Sequence, residues 1–176
     1  MIAAIRALAN TVARYWPWVA LASCAFMLGM AHYFETFKHL APCILCLKQR
    51  EVYWIAGSIA LGGCVLECTP LGPRTYRIVC ALLACAFVYS LYMAGWHAGA
   101  EAGWWKGPAA CASDPHAGPV GAADIANLLN GVVKPKITSC EDVVWRLGLT
   151  MAGWNVLISA KLIGWSLYSA IRGKRA

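Results

Sequence analysis

Charge is scarce in this chain. Of 176 residues only 13% are charged, and Asp and Glu together number eight against 15 Lys and Arg. An ordinary soluble domain carries about 25% charged residues, so a solvated globule is a poor description. The excess of base gives a formal net charge of +7. These residues form no block, however. They flank apolar stretches, which argues against a nucleic-acid partner and for anchoring at the edges of a lipid bilayer. In place of charge the chain has apolar residues, 60% of the total, and nine tryptophans. That is the composition of a membrane protein.

Four stretches run almost without charge: Tyr15 to Phe34, Val52 to Leu66, Ile78 to Ala100 and Leu147 to Arg172. About 20 apolar residues cross a bilayer as a helix. The second run is too short unless its helix begins near Pro42, and proline is well tolerated in a first helical turn. The expected fold is therefore an all-α integral membrane protein, one domain over 1–176, built as a four-helix transmembrane bundle. Its spans are expected near 15–34, 43–67, 77–97 and 146–170, with two outward-facing loops near 35–42 and 98–145. Basic residues are denser in the short segments that hold Arg6, Arg14, Arg74, Arg77, Arg172, Lys174 and Arg175. By the positive-inside rule this puts both termini in the cytoplasm. The box "LASC", Leu21 to Cys24, looks like a lipoprotein cleavage site. The apolar stretch before it is too short for a signal peptide, and the run continues well past Cys24.

The nine cysteines then divide by compartment. Cys24, Cys64, Cys68, Cys80 and Cys85 fall within the apolar runs or at their cytoplasmic ends, where cysteine usually packs as a small apolar residue. Cys64 and Cys68, one turn apart, have only Glu67 beside them and are read as packing. Cys43, Cys46, Cys111 and Cys140 fall on the outer face, and an even number in an oxidising compartment suggests disulfides. Cys111 and Cys140 bracket a polar segment with turn signals at Asp114-Pro115, Gly118-Pro119 and Lys134-Pro135. Between these, Ile125, Leu128, Leu129 and Val132 have the spacing of a short amphipathic surface helix. This pair reads as a loop staple, structural or functional.

The pair in "PCILCLKQRE", Pro42 to Glu51, is too close in sequence to staple anything distant. At i and i+3, with Arg50 four residues after Cys46, all three can share one helical face. A thiolate at Cys46 would meet a helix N-terminus and a guanidinium, both of which favour the anion. The plainer reading of Arg50 is an interfacial residue that snorkels. Haem attachment would need histidine where Leu47 stands. A zinc site would need two further ligands at recognisable spacing, and only His116 lies near either distant cysteine. No metal is expected.

The layout resembles the disulfide bond formation protein B family of bacterial inner-membrane enzymes. The likeness rests on Pro42-Cys43-x-x-Cys46 with Arg50, on the widely spaced cysteine pair after the third run, and on "WRLGLTMAGWN", Trp145 to Asn155. The resemblance implies a quinone-dependent thiol–disulfide oxidoreductase. It would reoxidise a periplasmic thioredoxin-fold thiol oxidant (DsbA-like) and pass the electrons to ubiquinone or menaquinone. By position, Cys111 would form the mixed disulfide with the partner and Cys140 would relay electrons to Cys43. Cys46 would face the quinone, with Arg50 binding it and His97, in "GWHAGAE", near it. The alternatives are a vitamin K epoxide reductase-like quinone reductase, in which the Cys-x-x-Cys is expected near a later helix, and a non-catalytic disulfide-stapled tetraspan or transport protein. Lys161, an ionisable residue inside a span, is the feature that most favours transport, although it can snorkel to the inner surface.

Overall fold

The computed structural model describes residues 1–40, 42–108 and 140–172. Among them are five helices: α1 (Ile2–Arg14), α2 (Trp16–Phe37), α3 (Ile44–Glu67), α4 (Gly72–Glu101) and α5 (Met151–Arg172). A two-residue hairpin, β1 (Arg146–Leu147) and β2 (Leu149–Thr150), precedes α5. The expected amphipathic helix over Ile125 to Val132 lies outside the described residues, as does Cys111.

The helix ends follow local chemistry. Pro17 and Pro73 sit in the first turns of α2 and α4, where the missing N–H costs no hydrogen bond. Cys43 caps α3, its sulfur accepting from the Cys46 backbone N–H at 3.2 Å. Gly148, at φ 72°, makes the hairpin turn in a conformation that suits glycine. That hairpin holds Arg146 to Thr150 outside the helix, so α5 starts later than the expected span at 146. At the other end of the sequence, α1 does not register among the apolar runs because its apolar residues occupy one face. Ile2, Ile5 and Leu8 are exposed on it, as in a helix lying along a bilayer surface. It docks through Tyr76 Oη, which donates to the Ala13 carbonyl, and Tyr168 Oη, which donates to Asn10 Oδ1 at 3.1 Å.

α4 packs along α3 and α5, and α2 packs along α3. Ala20, Ala56 and Ala60 are fully buried between the helices, which lets backbones approach closely, around a core that also buries Trp16, Leu83 and Phe87. Other bulky apolar side chains are exposed, among them Phe26, Trp54, Ile78, Val88, Tyr92 and Leu157. Lipid is the solvent such a surface needs. α2 and α4 are long and apolar enough to cross a membrane. α3 and α5, at 24 and 22 residues, have the length but carry charges, Lys48, Arg50 and Glu51 in the first turns of one and Lys161 in the middle of the other. Lys161 is exposed on the outside of the bundle.

Gly63 marks a close crossing. A Cβ there would lie 2.7 Å from Val79 Cγ1 and 3.2 Å from Pro17 Cβ, so α2, α3 and α4 converge on this one residue. Gly63→Leu should force the helices apart and cost about 1–3 kcal/mol, read as a lower thermal midpoint in detergent. An unchanged midpoint would mean that the three helices do not meet there.

Candidate active site

The head of α3 touches two environments. Cys43 is buried and belongs to a small cluster with Leu45 and Cys140, against which Met93 packs. Cys46 packs against the same cluster and also lines a cavity of about 440 Å³. Their sulfurs are 2.8 Å apart, so the pair bridges the two environments. Cys140 is fully buried and disulfide-bonded. Cys43 and Cys46 are free, as are Cys24, Cys64, Cys68, Cys80 and Cys85; of these last five, Cys24 and Cys80 are part of the main apolar core and Cys64 is buried, whereas Cys68 and Cys85 are exposed.

The cavity walls are apolar, formed by Phe26, Met27 and Phe34 of α2, Trp145 ahead of the hairpin, and Met151 and Ile158 of α5. Cys46, Gln49, Arg50, Tyr53, His97 and Asn155 supply its polar atoms. Small-molecule sites commonly have this form, an apolar cleft of about 300–1,000 Å³ with a few fixed polar groups.

Two sets of bonds hold those polar groups. Arg50 donates to the Glu35 carboxylate and, through Nη2, to the Ala31 carbonyl at 3.2 Å, so α2 fixes its position. The shared face expected from spacing is real in that Arg50 and Cys46 line one cavity, but the guanidinium spends its hydrogen bonds on α2. The α3 N-terminal amide expected to favour an anion at Cys46 is directed at Cys43 instead. Charge on this pair is therefore best accommodated at Cys43, which also has His97 Nε2 3.6 Å away.

His97 ends a buried polar chain that runs through three helices. Tyr53 Oη donates to Asn155 Oδ1 at 2.5 Å, Asn155 Nδ2 donates to Gln49 Oε1 at 2.5 Å, and Gln49 Nε2 reaches His97 Nδ1 at 3.0 Å. Ser159 and Ser90 extend the chain, their hydroxyls 2.9 Å apart. With Nδ1 accepting from the Gln49 amide, the proton of neutral His97 lies on Nε2, the atom that faces Cys43 Sγ and Glu101 Oε1, the latter 3.7 Å away.

The structure thus brings together Cys43, Cys46, Arg50 and His97 of the expected site, with Cys140 beside Cys43. Gln49, Asn155, Tyr53, Glu35 and Glu101 join them without having been singled out by sequence. Gln49 and Asn155 stand inside the quoted motifs, and a buried amide in an apolar helix is the signal that could have marked them.

These features define a class, a helical membrane protein with a partly buried dithiol at the head of one helix. The chain belongs to the disulfide bond formation protein DsbB family, whose model matches residues 13–169. It is similar to disulfide bond formation protein B of Nitrosospira multiformis, 28% identical over 82% of this chain and 83% of that protein. The Dechloromonas aromatica protein of that name is 29% identical over 87% of this chain and 89% of its own length. That of Nitrosomonas eutropha is 30% identical over 78% and 82% respectively. No solved structure matches the chain significantly. Membership makes it a membrane thiol–disulfide oxidoreductase of disulfide bond formation.

Proposed function

We propose that this protein reoxidises a periplasmic thioredoxin-fold thiol oxidant of the DsbA type and passes the electrons, through two cysteine pairs, to a membrane quinone. In this reading it lies in the bacterial inner membrane as four spans, α2 to α5, with cytoplasmic termini and both cysteine pairs on the periplasmic side. The observation that carries the reading is the divided placement of the dithiol: Cys46 opens on the apolar cavity while Cys43 shares a buried cluster with Cys140. A relay needs that division, with an acceptor on one side of the pair and a donor on the other.

The cavity suits a quinone ring. It is apolar, about 440 Å³, and has Arg50 and His97 among the few polar residues in its wall. A bound quinone would supply a two-electron, two-proton acceptor. The remaining steps belong to the chain. The partner's thiolate attacks Cys111, which releases Cys140 as a thiolate. Cys140 attacks Cys43, breaking the Cys43–Cys46 disulfide and freeing Cys46. When the partner's second thiol resolves its mixed disulfide and Cys140 returns to Cys111, the Cys43–Cys46 dithiol holds two electrons and two protons. Its closure to the disulfide gives up both. His97, with its ring oriented by Gln49, is set to donate to the Cys43 thiolate, and Arg50, fixed by Glu35, presents charge at the cavity wall.

The test is quinone reduction by the purified chain in detergent with a reduced thioredoxin-fold oxidant as donor, followed by the change in quinone absorbance. Steady turnover is expected, together with its loss in Cys111→Ser. Failure of the parent to reduce any quinone, with the protein folded and its disulfides intact, would overturn the proposal.

A further inference from the structure

Cys43 Sγ, Cys46 Sγ and a ring nitrogen of His97 lie within 4.8 Å of one another. Sequence spacing conceals this set, because the third ligand comes from another helix. We infer that the reduced Cys43–Cys46 pair and His97 form a three-ligand zinc site that holds the enzyme in an inactive dithiolate state, with the Glu101 carboxylate beside the imidazole.

The geometry is close to what the ion needs. Tetrahedral zinc, with bonds of about 2.3 Å to sulfur and 2.0–2.1 Å to nitrogen, sets thiolate sulfur about 3.6 Å from an imidazole nitrogen and two thiolates about 3.8 Å apart. Cys43 Sγ is 3.6 Å from His97 Nε2. The two sulfurs, 2.8 Å apart, must separate by about 1 Å, which a turn of the Cys46 side chain toward the cavity provides. Glu101, one helical turn after His97, brings Oε1 to 3.7 Å from Nε2. Its side chain is only 4% exposed, and its second oxygen has no hydrogen-bond partner among the described residues. An orphaned buried carboxylate oxygen on a residue that faces the imidazole is costly as it stands, and a cation bound near it relieves it.

The surroundings can adapt. Ligation through Nε2 moves the ring proton to Nδ1, which then needs an acceptor. Gln49 becomes that acceptor when its amide turns its oxygen to His97, and Asn155 and the hydroxyls of Tyr53, Ser159 and Ser90 can reverse in step. Binding converts two thiols and Zn²⁺ into a zinc dithiolate and releases two protons. No electrons move. With both sulfurs held as ligands the disulfide cannot close, so zinc should act only on the reduced pair. This inference does not depend on what the electron acceptor is.

The test titrates Zn²⁺, and Co²⁺ as a spectroscopic substitute, into the full chain in detergent. A Cys111→Ser/Cys140→Ser background keeps the second pair from binding. The reduced protein should take up one ion with a thiolate-to-Co²⁺ absorption band, the oxidised protein none. Cys43→Ser should abolish the band, and His97→Ala should weaken binding at least ~10-fold. Equal uptake by the reduced and oxidised forms, or no uptake by the reduced form, would overturn the site, and neither result requires His97→Ala to fold. Undiminished affinity in a folded His97→Ala would overturn it equally.

Discussion

Cys46→Ser should abolish steady quinone reduction, with a loss of at least ~10³-fold, while leaving a single round of donor oxidation intact. The two halves of that result have separate origins. Serine fills nearly the same volume beside Arg50, so the cavity persists, but its hydroxyl neither forms a disulfide with Cys43 nor becomes an anion at neutral pH. Cys140, released when the partner attacks, then finds no Cys43–Cys46 bond to break. One equivalent of donor is oxidised at the outer pair and the reaction stops there. Donor thiols counted by alkylation, alongside quinone absorbance, distinguish this stall from a dead protein. Continued turnover in Cys46→Ser would remove the inner pair from the route. A loss of the first donor equivalent as well would mean that the two pairs do not work in sequence.

Asn155→Leu should cost about 2 kcal/mol of stability and slow turnover about 10-fold. Asn155 is 5% exposed and sits between Tyr53 and Gln49, with a bond to each at 2.5 Å. Leucine fills its volume but leaves the Gln49 carbonyl without its donor and Tyr53 with only Ser159, 3.4 Å away. A buried polar group stripped of its partner costs about 1–3 kcal/mol, at the lower end between membrane helices because the unfolded chain also finds partners there. The kinetic effect comes from what Asn155 does at one remove. Without it the Gln49 amide can rotate, and the proton on His97 is no longer directed at Nε2. Thermal midpoint in detergent and kcat for quinone reduction measure the two effects separately. Ser90→Ala, at the far end of the chain, should be milder in both. An Asn155→Leu protein as stable and active as the parent would show the chain to be incidental.

Both substitutions sit in segments that sequence marks out, but for different reasons. Cys43, Cys46 and Arg50 are separated by three and four residues, and within one helix such spacing sets a shared face whatever the rest of the chain does. The apolar runs likewise determine helices, because backbone polar groups in lipid must be satisfied internally. Even so, the run that predicts a helix from 146 gives way at Gly148, where a positive φ makes a hairpin. Helix α1 escapes notice because it is apolar on one side only.

Composition, the four long helices and the place of the Cys-x-x-Cys at the head of α3 were all determined by sequence alone. Each depends on interactions within a turn or two, or on the preference of whole segments for lipid. Tertiary structure decided the rest. Gln49 meets His97 across 48 residues and Asn155 across 106. Arg50 turns to Glu35, Cys140 comes to rest beside Cys43, and Glu101 gains its orphaned oxygen. Helical periodicity tells which residues share a face but not which face of which helix they will meet. That is settled by how closely small residues such as Ala56, Ala60 and Gly63 let the helices approach.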